Sequence, residues 1–278
     1  MYTDVNDQRA DSSDAVCVIL AGGQGKRMAS SGTHKACFPV GGTPAIFRAI
    51  DAYKQAGIKR FLVVVGELAE QVMSTVSPAH PDVAFAYQAE QRGTGHATLV
   101  GVDVLVAQGH RGPVIVAMGD SIVEPGVIRE LQRTFDAGSY EAVIASAPKN
   151  QNRSSGRVVR NDAGEVVGVV EVADIQLAER ESRSLNVGGK AHDPKDLEAG
   201  ADSVNVSLYA FRLESLRGAL AQIGSDNAQL EMYLTDTVEY LAQHGRVGEL
   251  LVKDPHAVMA FNTPEELGAI EEVIADRY

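Results

Sequence analysis

The sequence predicts an α/β fold: a Rossmann-like, mostly parallel sheet flanked by helices, with a small β-rich extension. Three observations predict it. Short apolar runs recur through the first 150 residues, separated by stretches of helical character. The first of these runs closes on glycines, at Ala21-Gly22-Gly23. Beyond residue 150, strand-like runs follow one another without helices between them.

Val16–Leu20 (VCVIL) reads as a buried strand. Thr43-Pro44 opens a helix over AIFRAIDAYKQA, and Gly57 follows it as a C-terminal stop. Phe61–Val65 is a second strand, Glu67–Val76 a helix, Val83–Tyr87 a third strand and Thr94–Ala107 a helix. Pro113–Met118 is a fourth strand ending at Gly119-Asp120, then come helix Val127–Phe135 and strand Ala142–Ala147. Strict β-α alternation implies parallel pairing with helices on both faces, and ligands bind beyond the carboxyl ends of such strands. The Gly22–Lys35 loop and Asp120 should therefore share one rim. Gly156–Arg160, Val166–Glu171 and Val204–Phe211 read as further strands. Residues 175–202 are polar without clear periodicity and are expected to form a long, mobile excursion. Asn227–His244 and Glu265–Ala275 read as helices. The expected organisation is a disordered leader at 1–14 and a single domain at 15–278, with one half at 15–150 and the other at 151–278.

Hydrophobic residues make up 45% and charged residues 22% of the chain, the balance of a globular enzyme rather than a disordered segment. The net charge of −12 argues against nucleic acid or an anionic membrane as partner, since both need a broad cationic face. Cys17 and Cys37 show neither metal spacing nor a disulfide framework. No apolar run approaches the roughly 20 residues of a membrane span. The first 14 residues are too polar for a secretory signal, so a cytoplasmic location is expected. Against the acidic whole, residues 15–50 contain no Asp or Glu but hold Lys26, Arg27, Lys35 and Arg48. Such a window around a glycine-rich loop suits an anion.

That loop is Leu20-Ala21-Gly22-Gly23-Gln24-Gly25-Lys26-Arg27-Met28, followed by Lys35. Glycines bring backbone N–H groups close to phosphate oxygens, and Arg27 and Lys35 can neutralise a triphosphate. A Walker A loop needs Ser or Thr where Arg27 stands, and a dinucleotide fingerprint needs glycine where Met28 stands.

The run LAGGQGKRM…HKACFPVGGTP resembles the signature of sugar-1-phosphate nucleotidyltransferases, and the chain is most similar to pyrophosphorylase domains of N-acetylglucosamine-1-phosphate uridylyltransferases. The resemblance implies the nucleotide-diphospho-sugar transferase fold, with residues 15–150 as a nucleotide-binding half and 151–278 as a sugar-binding half. It implies nucleotide contacts from Leu20, Ala21, Gly22, Gly23 and Gly25, with catalytic roles for Arg27, Lys35 and Asp120. Gln88-Ala89-Glu90-Gln91-Arg92-Gly93-Thr94-Gly95-His96 is similar to the family's base-reading segment, which implies that Gln88 and Gly93 contact uracil and that Thr94 joins them. Gly119-Asp120 and Asn262 match its two Mg²⁺ ligand positions. Gly156, Glu171, Asn205 and Thr235 fall on segments that hold the sugar. His96 carries no assigned role.

Some positions depart from the family pattern. Ser155 replaces a tyrosine, Asn205-Val206-Ser207 replaces Asn-Thr-Gly, and Ser121-Ile122-Val123-Glu124-Pro125 stands after Gly119-Asp120 where the family usually has a short apolar-proline step. The bacterial bifunctional enzyme's hexapeptide-repeat acetyltransferase is not expected here. Each site residue also has a plainer reading: Asp120 as a helix cap or solvated acid, Lys35 as surface charge, Glu171 as a strand end. Asn262-Thr263-Pro264-Glu265 is equally a good helix start. The expectation is a Mg²⁺-dependent transfer from an NTP, UTP favoured, to a sugar-1-phosphate, with pyrophosphate released. A cytidylyl- or guanylyltransferase acting on another sugar- or cyclitol-phosphate, and a non-catalytic sugar-nucleotide sensor, are the alternatives. A homo-oligomer is compatible with this reading.

Overall fold

The computed structural model describes residues 14–23, 28, 32–151 and 154–277. The expected leader through residue 13, together with Gly25 and Arg27, lies outside the described residues.

All six residues of β1 (Val16–Ala21) are buried, which is why its sequence is continuously apolar rather than alternating. A 3-10 turn at Lys35–Cys37 leads to a small hairpin of β2 (Pro39–Val40) and β3 (Thr43–Pro44), then to helix α1 (Ala45–Gln55). The turn after α1 has the Schellman pattern: Gly57 lies at φ 100°, its N–H donates to Lys54 O, and Ile58 N–H donates to Tyr53 O. There follow β4 (Arg60–Val65), α2 (Ala69–Val76), β5 (Ala84–Tyr87), α3 (Thr94–Ala107) and β6 (Val114–Met118). β4 and β6 pair parallel to β1 on either side, and β5 pairs parallel to β4.

Next come β7 (Ser121–Val123), α4 (Pro125–Ala137), β8 (Ala142–Pro148), β9 (Arg157–Arg160) and β10 (Val166–Val170). Helix α5 (Val172–Glu181), hairpin β11 (Leu185–Val187) with β12 (Lys190–His192), and α6 (Pro194–Gly200) precede the long β13 (Ser203–Phe211). The chain closes with α7 (Leu213–Leu220), α8 (Asp236–His244), β14 (Val247–Leu251), β15 (Val258–Ala260) and α9 (Pro264–Arg277). The main sheet has the order β10-β9-β13-β6-β1-β4-β5, with β8 pairing β13 and β14 pairing β8. Alternate residues of its strands feed two cores. Ile19, Val63 and Ile115 face one, while Val18, Val64 and Val116 face the other.

The structure corrects several expectations. α2 starts at Ala69 rather than Glu67, because Leu68 is left-handed at φ 50°. The helix expected over Asn227–His244 begins only at Asp236. Asn227 diverts the first part: its Oδ1 accepts from the N–H groups of Gln229 and Glu231, and its Nδ2 donates to Glu231 O. Such local bonds compete with helix formation. Residues 175–202 are an ordered lobe rather than an aperiodic excursion. Gly188 and Gly189, both at positive φ, make a two-residue turn between β11 and β12. Ile175, Ala178, Leu185, Val187 and Leu197 then bury against Val159 and Val170. Buried Arg157 anchors the lobe through two bonds to Glu198, Nε to Oε2 at 2.7 Å and a terminal nitrogen to Oε1 at 3.0 Å. β7, α7, β14 and β15 were not anticipated.

Ser207 sits at φ 56° in an irregularity of β13 between Asn205 and Tyr209. Its N–H donates to Asn205 Oδ1 at 3.1 Å, which offsets part of the strain. Ser207→Gly removes the Cβ that left-handed geometry disfavours, so it is expected to raise unfolding stability by up to about 1 kcal/mol. A urea midpoint that falls would contradict this.

Candidate active site

The carboxyl ends of β1, β4 and β6 open on a cavity of about 990 Å³. Its floor is Leu20-Ala21-Gly22-Gly23, and Gly22 O accepts from Glu67 N–H at 3.2 Å, which ties the loop to the end of β4. Lys35, Gln88, Gly93, Thr94, Asp120 and Asn262 all line it. Met28 is buried with Val40, Phe261 and Ile274.

Lys35 projects from its 3-10 turn, 15% exposed, and pairs with the Asp120 carboxylate, itself 15% exposed. The same ammonium donates to Asn262 Oδ1 at 3.0 Å and lies 5.4 Å from the centre of the Phe261 ring. Asp120 follows β6 and leads into a strand, so it caps no helix. Thr263, not Asn262, caps α9: its Oγ1 accepts from Glu266 N–H, which leaves the Asn262 amide for the cavity.

The extra residues after Asp120 explain how the two oxygen donors meet. Ser121-Ile122-Val123 forms β7 and pairs antiparallel with β15, Ala260 opposite Ser121. That register carries Asn262, just past β15, back to Asp120.

His34 precedes Lys35, is buried on the cavity wall, and accepts from Ala36 N–H through Nδ1 at 3.2 Å. Burial lowers the pKa of its imidazole from the ordinary value, despite the nearby Asp120 charge. Gln71 of α2 brackets this segment, donating to Gly32 O at 3.0 Å and accepting from His34 N–H. His34, Gln91, Gln229 and Glu231 line the cavity without having been singled out for it by the sequence.

In the segment expected to read the base, Gly93 is at φ 104°, and a Cβ there would stand 2.5 Å from Met232 O. The close approach lets Gly95 N–H donate to Met232 O at 2.7 Å and Thr94 Oγ1 accept from Leu234 N–H at 3.0 Å. The start of α3 and residues 232–234 are stitched together there. Gln88 is 2% exposed.

The four residues expected to hold the sugar converge next to α8. Thr235 Oγ1 donates to Glu171 Oε1 at 3.0 Å, the Glu171 carboxylate lies against Gly156, and Gly156 O accepts from Asn205 N–H at 2.8 Å. The Asn205 amide itself turns inward and donates to the Tyr209 hydroxyl at 2.6 Å. Among the described residues these four stand apart from the walls of the large cavity. Burial pushes the Glu171 carboxyl up. Asp236 is pushed up to about 7, by burial first and then by Asp174, Glu171 and Glu239. A carboxyl raised on folding stabilises fully below its unfolded value and loses that contribution as pH rises through about 7. Asp236→Asn should therefore flatten the pH dependence of stability between pH 4 and 7 and add at least about 1 kcal/mol at pH 8. Parallel stability–pH curves for the two proteins would exclude this.

An open α/β sheet binds its ligand beyond the carboxyl ends of its strands, and that rim here gathers a glycine-rich strand end, a lysine and a carboxylate. Residues 17–233 match the MobA-like NTP transferase domain, and the chain belongs to that family of nucleotidyltransferases. It is 33% identical over 261 residues to the bifunctional protein GlmU of Mycolicibacterium gilvum (strain PYR-GCK), covering 92% of this chain and 48% of that one. It is 31% identical to GlmU of Alkaliphilus metalliredigens (strain QYMF) and 32% to that of Clostridium kluyveri (strain ATCC 8527), each match covering 94% of this chain and 52% of the relative. The chain thus spans about half the length of these curated relatives. No helix among the described residues is long and apolar enough to cross a membrane.

Proposed function

We propose that the protein transfers a nucleotidyl group from an NTP, UTP by preference, to a sugar-1-phosphate of the N-acetylhexosamine kind and releases pyrophosphate in the cytoplasm. The observation that carries this reading is the convergence of Asp120 and Asn262 on the Lys35 ammonium at the cavity rim. Two oxygens that approach one cation from separate elements form an all-oxygen donor set. That fits Mg²⁺, which binds through few protein oxygens and keeps the rest of its shell for phosphates and water. When bound there, Mg²⁺ neutralises phosphate charge and orients the triphosphate.

The glycine floor presents N–H groups to the phosphates, and Arg27 holds the β and γ phosphates. Lys35, released from Asp120 as substrate enters, faces the α-phosphate. A phosphate oxygen of the sugar attacks the α-phosphorus in line with the departing pyrophosphate. That oxygen is already anionic at neutral pH, so no general base is required. The work is positioning two polyanions and neutralising their charge. Gly156, Glu171, Asn205 and Thr235 form the sugar side. A sensor would have no use for a lysine poised between two hard oxygen donors.

The test is pyrophosphate release across four NTPs against a panel of sugar-1-phosphates. Turnover fastest with UTP and an N-acetylhexosamine-1-phosphate supports the reading. A higher kcat/KM with CTP or GTP moves the chain to a cytidylyl or guanylyl activity, and nucleotide binding without turnover on any acceptor makes it a sensor.

A further inference from the structure

Gln88 is the buried amide on the base side of the cavity, and its environment limits what it can offer. An amide has two N–H donors on one atom and an acceptor on the other. Gly93 O lies 3.3 Å from Gln88 Nε2, and a backbone carbonyl can accept only, so the atom facing it must be the NH₂ group. His96 Nδ1 lies 3.0 Å from the same nitrogen. It must therefore accept the second N–H, which places the imidazole proton on the far ring nitrogen, His96 Nε2. Both donors of Gln88 are then consumed within the protein. The remaining polar atom, Oε1, lies over Gly22: a Cβ on residue 22 would stand 2.5 Å from it. Gly22 and Gln88 both line the cavity, so the absent side chain of Gly22 is what gives this oxygen its place.

We propose that His96 is a positioning residue for base selection, locking the Gln88 amide so that it presents an acceptor, never a donor, to the nucleobase. The proposal rests on the reading that Gln88 meets the base. Its chemistry discriminates at one ring position. Uracil carries an N–H at N3, which can donate to Oε1, whereas cytosine carries a lone pair there, which Oε1 repels. An amide free to turn would satisfy either base by exchanging its ends. Gly93 O and His96 Nδ1 together deny Gln88 that freedom, and His96, the closer acceptor at 3.0 Å against 3.3 Å, does so without touching the nucleotide.

The test is equilibrium binding of UTP, CTP, GTP and ATP, each with Mg²⁺, to the full chain, which needs no knowledge of the acceptor sugar. Wild type should favour UTP over CTP. His96→Leu removes the closer of the two acceptors, leaving the bond to Gly93 O alone to hold the amide, and should shrink that ratio by about fivefold or more, the scale of one lost hydrogen bond. His96→Asn places an amide oxygen where Nδ1 stands and should keep the ratio within about threefold of wild type. In a Gln88→Ala background, His96→Leu should change the ratio no further. If His96→Leu fails to fold, as judged by its thermal midpoint, His96→Ala takes its place. An unchanged ratio in the variant lacking the acceptor overturns the proposal. So does an equal fall with Asn, or an effect that persists without Gln88. If wild type prefers a nucleotide other than UTP, the uridylyl reading fails instead. His96 is then judged by whether its loss flattens whatever preference exists.

Discussion

Lys35→Ala is expected to lower kcat by about two orders of magnitude or more, the scale of a lost transition-state electrostatic contact, while NTP affinity falls much less. The structure sharpens the reason. The Lys35 side chain is 15% exposed, so its charge acts in a partly desolvated rim rather than in bulk water. Its turn is held by Gln71 and by Ala36 N–H on His34, so the ammonium is delivered to one place. In the ground state its charge is shared with Asp120 and Asn262. As two polyanions close on each other, negative charge crowds at the α-phosphorus, and a fixed cation gains more there than in the bound substrate. Steady-state kinetics beside equilibrium NTP binding separates the cases. A solvated surface lysine predicts no change in either. Equal, modest losses in both would make Lys35 a docking residue only.

Asp120→Asn should remove Mg²⁺-dependent turnover almost entirely, by at least about three orders of magnitude, since one hard ligand carries several kcal/mol of charge stabilisation. The substitution keeps the shape of the side chain and an oxygen within reach of Lys35, so the thermal midpoint should move by no more than a few degrees. Because Lys35 and Asp120 are in direct contact, the double variant should lose far less than the product of the two single losses. A single variant with near wild-type kcat at limiting Mg²⁺ would refute the role of Asp120 as metal ligand.

The elements legible in the sequence were those whose local signals agree with their packing. α3 runs over Thr94–Ala107 as its pattern predicts, and β1 extends the predicted VCVIL by one residue. Residues 175–202 failed because two short helices and a three-residue hairpin bury only scattered apolar side chains, too few for any period to emerge. The Gly188-Gly189 pair between LNV and KAH was the available hairpin signal. Asn227–His244 failed because the Asn227 side chain outcompetes the helix over one turn, with Leu230 left at φ 56°. At the site, Lys35, Asp120 and Asn262 were legible as residue types, but their meeting depends on the β7–β15 register. His96 was read past because nothing in its spacing reveals that its ring nitrogen faces Gln88.

The placement of β13 governs how such a chain can fold. β13 comes late in the sequence yet pairs with β6, β8 and β9, so the strands on either side of residue 150 are stitched by one antiparallel strand. β1 likewise waits for Val114–Met118 before its second edge is covered. A ribosome releasing the first 150 residues would expose β6 and β8 with their pairing edges bare, a sticky and aggregation-prone species. Loop-closure entropy must be met before these distant pairings return any stability, so the transition state forms slowly and late. The same stitching means that a protease nick between residues 151 and 156 would not release two independent folded pieces, because each half leaves the other with an open sheet.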